Sequence, residues 1–131
     1  MEDTTKTKIL IIFKKQLVAF IDQLIQQFPN EADFVVFKLF VENQIQIEKV
    51  ICGWAKQMNK NDKKIRIMVE TRNDEFFITE NPFKFLNETR LTKLSLLWKD
   101  LDDENKQSIW NWMDLFTRIS DKYQPYILTP V

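Results

Sequence analysis

From Thr5 to Phe28, large apolar residues return at every third or fourth position, as Leu10, Phe13, Leu17, Phe20, Leu24 and Phe28. That is the repeat of one helical face. Val18, Ile21 and Ile25 widen the stripe, so the spacing predicts a helix touched by several neighbours, with Lys15, Asp22 and Gln26 on its wet side. Pro29-Asn30 closes it, and Asn30 or Glu31 can open a second helix through about Asn43, with Phe34, Phe37, Phe40 and Val41 inward. The run Phe34-Val35-Val36-Phe37 also fits a strand, but Lys38 and Glu42, four residues apart on one flank, favour the helix. A third helix, about Ile45 to Met58, uses Ile47, Val50, Ile51 and Trp54.

The middle is less regular. Ile65 to Glu70 alternates weakly enough to be a short strand, while Asn61-Asp62 before it has the character of a helix cap. We read a short helix to about Thr71, a polar joint at Asn73-Asp74, another helical turn over Glu75, Phe76, Phe77 and Ile78, and a stop at Asn81-Pro82. Leu91, Leu94, Trp98 and Leu101 form the next helical seam. Asp102-Asp103-Glu104 then places acids where a helix amino terminus favours them. From there Ile109, Trp112, Met113, Phe116, Ile119 and Tyr123 follow one face until Gln124-Pro125. The expectation is an all-α single domain over residues 1–131, built from five to seven helices, with an extended tail over 124–131. Tyr126, Ile127 and Leu128 of that tail are expected to lie on the body. Phe20, Leu24, Phe37, Trp54, Leu94, Trp98, Trp112 and Phe116 are the expected core.

Composition narrows the chemistry. With no histidine, one cysteine and one glycine in 131 residues, the chain lacks the ligand set of a zinc site, the base of a serine triad and the glycines of a phosphate-cradling loop. We therefore expect no enzyme, no cofactor, no metal site and no small-molecule substrate. Cys52 reads as a small buried residue. Asp100, Asp102, Asp103 and Glu104 are the only acidic cluster, and capping accounts for them better than catalysis.

Nineteen basic and nineteen acidic residues cancel, so attraction to nucleic acid or an anionic membrane needs a local patch. One exists: Lys56, Lys60, Lys63, Lys64, Arg66 and Arg72 face only Asp62 and Glu70 in that stretch. Lys60, Lys63, Lys64 and Arg66 are its candidate nucleic-acid contacts, although the stretch has no interleaved aromatics to stack on bases. The apolar run Ile9 to Phe13 is too short to span a bilayer, and the acidic start Met1-Glu2-Asp3 is unlike a secretion signal. An intracellular, cytoplasmic setting is expected.

Trp110 and Trp112 cannot face one core, because residues two apart point to opposite sides of a helix. Trp112 belongs with Ile109 and Phe116. Trp110, beside Lys106, Asp114 and Thr117, is either covered by another segment or exposed as an interface anchor. Ile12, on the Gln16, Ala19 and Gln23 side of the first helix, is the second partner-binding candidate.

Thr71-Arg72-Asn73-Asp74-Glu75-Phe76-Phe77, with Leu97-Trp98-Lys99-Asp100-Leu101-Asp102 and Lys106-Gln107-Ser108-Ile109-Trp110-Asn111-Trp112, resembles small helical proteins of nucleocytoplasmic large DNA viruses, the mimivirus-like giants. The abundance of Ile, Asn, Phe and Lys suits an A/T-rich genome of that kind. The resemblance implies a non-enzymatic protein of virion structure, assembly or host-factor engagement, in host cytoplasm or virion. The leading expectation is thus a helical protein-protein interaction module, self-associating or binding a partner protein. The alternative is nucleic-acid binding or packaging through residues 56–72.

Overall fold

Helix α1 runs over Glu2–Gln27 and buries Phe13, Leu17, Phe20, Ile21 and Leu24, the stripe read from the sequence. Pro29 ends it by denying the next turn an N–H and disfavouring helical geometry at Phe28. Helix α2, Ala32–Asn43, turns back beside it. Lys38 Nζ lies 2.7 Å from Asp22 Oδ1, and Lys14 Nζ donates to the Glu42 carbonyl at 3.2 Å, which makes the pair antiparallel. The computed structural model describes residues 2–80 and 92–127, and the expected stop at Asn81-Pro82, Leu91 of the next seam and Leu128 of the tail lie outside them.

Helix α3, Ile47–Glu70, is broken in its middle. Lys60 is extended, and Asn61, Asp62 and Lys63 follow at φ of 51°, 55° and 64°. Left-handed backbone costs roughly 1–2 kcal/mol per residue, least for Asn and Asp, so Asn61-Asp62 marks a break where the sequence suggested a cap. The part after the break is helical, which excludes the strand reading of Ile65 to Glu70. It ends with Asn73 N–H donating to the Met68 carbonyl at 2.9 Å and Arg72 N–H to that of Val69 at 3.2 Å. That is the double closure of a Schellman end, with Arg72, at φ 55°, in the left-handed place that glycine usually takes.

A π-helical turn, Phe76–Glu80, carries Phe76 and Phe77 under the body. Helix α4, Thr92–Leu97, continues as a 3-10 turn over Trp98–Asp100, and Ser95 Oγ donates to the Phe77 carbonyl. Helix α5, Asp103–Tyr123, opens with the Asp102 carboxylate accepting from Asn105 N–H at 2.8 Å. Asp102 of the acidic cluster thus caps the helix, and Asp103 and Glu104 occupy its first turn. Gln124–Tyr126 forms a 3-10 turn rather than the extended chain expected there, because Ile127 N–H bonds back to the Gln124 carbonyl at 3.1 Å. Tyr126 and Ile127 pack against the core.

Counting the two parts of α3 separately, six helices and no strand make up the described residues. Helix α5 packs on both α1 and α3. Phe116 is the meeting point, with ring centroids 5.6 Å from Phe13, 5.6 Å from Phe20 and 5.7 Å from Trp54, all edge-on. Trp54 Nε1 donates to Thr117 Oγ1 at 3.2 Å, and that hydroxyl in turn donates to the Met113 carbonyl at 2.8 Å, so the polar atoms at this seam are satisfied.

The expected core residues are buried except Trp112, which is half-buried. Its indole N–H leaves the core to donate to Gln23 Oε1 at 2.9 Å, and that bond holds the ring at the α1–α5 margin. Truncating Phe116 to Ala should lower unfolding free energy by about 3–5 kcal/mol, read from equilibrium denaturant titration. A loss below about 1 kcal/mol would mean that the three helices do not meet at this ring.

Candidate functional site

Trp110 is not an exposed anchor. It is 3% exposed, covered by Phe77 at 4.8 Å, Trp98 at 5.6 Å and Phe76 at 5.9 Å between ring centroids. The covering segment is the π-helical turn with the end of α4. Phe77 stacks on Trp98 at 4.0 Å with planes 22° apart. Charges close the rim: the Arg72 guanidinium lies 5.7 Å from the Trp110 ring centroid and Lys106 Nζ 5.6 Å from that of Trp98, both within cation–π range. The polar neighbours of Trp110 in the sequence are thus the edge of a second aromatic cluster.

Ile12 is 49% exposed. Eleven residues on, about three turns, Gln23 donates to Ser108 Oγ at 2.8 Å, so Ile12 lies on the α5 flank of α1. Ile11, also exposed, lies about three turns before Asp22 and hence on the α2 flank, since Asp22 pairs with Lys38. Single exposed apolar residues are ordinary on a protein surface.

Helix α2 differs. Phe34, Phe37 and Val41 turn inward, and Val35, Val36 and Leu39 are then forced outward, at 43%, 42% and 53% exposure. Val35 and Val36 stand four and three positions before Leu39, which puts all three on one face. Only Asp33, Lys38 and Glu42 carry charge on this helix. The signal was present in the sequence: a twelve-residue helix with eight of its positions apolar cannot hide them all on one side.

The basic stretch of residues 56–72 is divided by the fold. Arg66 forms a two-pronged bond to Asp121, at 2.9 and 2.6 Å, and Arg72 does the same with Asp114, at 3.0 and 2.6 Å. These bonds to carboxylates hold both guanidinium groups above their ordinary basicity. Arg66, a candidate nucleic-acid contact, is committed to α5 and contributes little free positive charge. Lys60, Lys63 and Lys64 are exposed around the break in α3.

Cys52 is half-buried, and burial followed by the nearby Glu48 carboxylate pushes its thiol up, away from the thiolate that reactivity needs. No group of His, Cys, Asp and Glu among the described residues could hold a metal ion, and no helix among them is long and apolar enough to cross a membrane. No family model, curated protein or solved structure matches the chain, so the geometry alone carries the functional reading.

Tyr123 is buried and its hydroxyl donates to Glu48 Oε2, with Lys6 Nζ 3.1 Å from the same oxygen. Burial first, then the carboxylate, pushes the phenol well above its usual 10.0. The bonds from Tyr123 and Lys6 hold Glu48 below 4.5. The Glu48 contribution to stability is present above that value and lost as pH falls through the lowered one. The Tyr123 contribution is full below 10.0 and lost as pH climbs toward the raised one. In a Tyr126→Phe background, phenolate absorbance should show Tyr123 ionising late, and Glu48→Gln should bring it down. An ordinary titration in both proteins would contradict the pairing.

Proposed function

We propose that the protein is a non-enzymatic helical interaction module that self-associates through the outer face of α2. The observation that carries this reading is the exposed set Val35, Val36 and Leu39 on one face of that helix. Helices that present such a face commonly dock it against another apolar surface. A second copy fits best, for two reasons. Formal net charge is zero, so copies meet no overall repulsion. The flanks of the face carry both signs, through Asp33, Glu42 and Lys38, the last of which also pairs with Asp22 of α1, and a two-fold interface requires a self-complementary border.

The resemblance to giant-virus proteins supplies the proposed setting, which is virion assembly or engagement of a host factor in the cytoplasm. Nucleic-acid binding ranks second, because the fold ties up Arg66 and Arg72.

Leu39→Asp should leave helicity and unfolding midpoint near those of the parent while weakening self-association by about 2 kcal/mol, or roughly thirty-fold. Sedimentation velocity over a concentration series reads this directly. Ile12→Asp should change little, since Ile12 lies on the other flank of α1. A parent chain that stays monomeric throughout, or a Leu39→Asp protein that associates unchanged, would overturn the reading.

A further inference from the structure

A separate cavity lies at the break in α3. Gly53, Lys56, Gln57 and Lys60 share one face of the first half of the helix, at steps of three, four and seven residues. The left-handed turn over Asn61, Asp62 and Lys63 then redirects the chain, so that Lys64 and Ile65 of the second half, with Glu80 of the π-helical turn, line the same space. Its volume is about 540 Å³, within the range of small-ligand sites.

Two features set this cavity apart. The first is charge. Among the described residues Lys56, Lys60 and Lys64 line it with one carboxylate, Glu80, a net of two positive charges in a chain whose total is zero. None of the three forms an ion pair among the described residues, whereas Lys6, Lys38, Arg66 and Arg72 all do. The second is Gly53, the only glycine of the chain, which lies inside a helix where glycine is disfavoured. At this position a larger side chain would take up space in the cavity it lines. The strained turn acts to the same end, since it is what brings Lys64 round to Lys56 and Lys60. Strain of this sort gathers at binding sites.

We propose that this cavity binds the phosphate group of a small phosphorylated ligand. Lysine ammonium groups serve as point charges for phosphate oxygens. The side-chain amides of Gln57 and Asn61 and the apolar wall of Ile65 can receive the organic part. A nucleic-acid strand is the poorer fit: Arg66 and Arg72, which would extend the positive track, are held by Asp121 and Asp114, and among the described residues no aromatic side chain lines the cavity to stack on a base. The inference is independent of self-association through α2, which lies on another helix.

Inorganic pyrophosphate, titrated into the full chain by calorimetry and by amide chemical shifts, is the probe. Saturable binding of one pyrophosphate per chain is expected, weakening as salt rises. Lys60→Gln with Lys64→Gln should reduce affinity at least ten-fold, while Lys15→Gln, on the exposed side of α1, should leave it within two-fold. Gly53→Leu should also reduce it at least ten-fold by filling the cavity; if that variant loses helicity, the exposed lysine pair decides alone. Absence of saturable binding would overturn the proposal, as would equal losses in the Lys15 and Lys60/Lys64 variants. Single-stranded oligonucleotides whose affinity far exceeds that of pyrophosphate and grows with length would replace it with an extended nucleic-acid track.

Discussion

Helix α5 is buried along two faces at once, and the rest of the molecule is arranged to supply those two contacts. One face sets Phe116 against Phe13 and Phe20 of α1 and Trp54 of α3. The other sets Trp110 against Phe76, Phe77 and Trp98. Large aromatic side chains bury much area and add edge-to-face attraction, so these two clusters carry a large share of the packing. Arg72 joins them to the backbone. Its guanidinium bonds Asp114 on α5, and its left-handed φ closes α3, so a residue in an unfavourable conformation is held by a two-pronged charge-assisted bond.

The two-sided burial decides where function can lie. Trp110 is drawn inward, and the half-buried Trp112 is tied to Gln23, which leaves no tryptophan of α5 free to dock a partner. The exposed apolar face belongs instead to α2, which packs on α1 and leaves Val35, Val36 and Leu39 outside. The free positive charge belongs to the break in α3, because the arginines nearby are consumed by Asp114 and Asp121. Both candidate surfaces are thus what remains after the core has claimed its residues.

Much of the fold was legible in the chain. The three- and four-residue spacing in α1 and α5, the proline after α1 and the acids before α5 each act locally, so helix class and helix ends follow from them. Three things were not legible. The cover over Trp110 comes from Phe76, Phe77 and Trp98, and side-chain partners that distant in sequence leave no periodic signal. The left-handed closure at Arg72 lacks the glycine that usually announces it, since Asp114, far along the chain, stabilises the alternative, although the helix end near Thr71 was read. The gathering of Lys56, Lys60 and Lys64 depends on three left-handed residues whose geometry no propensity of Lys63 suggests. The α2 face was legible too, since Phe34, Phe37 and Val41 fill the inner side of a helix whose remaining apolar residues must lie elsewhere.

The central claim is that α5 is a two-faced core helix, and Trp110 tests it most directly. Trp110→Ala should lower unfolding free energy in urea by about 3–5 kcal/mol and leave the self-association of the folded fraction, read by sedimentation, unchanged. A stability loss below about 1 kcal/mol together with weakened association would contradict the account, since Trp110 would then act at the surface and the second cluster would not hold the fold.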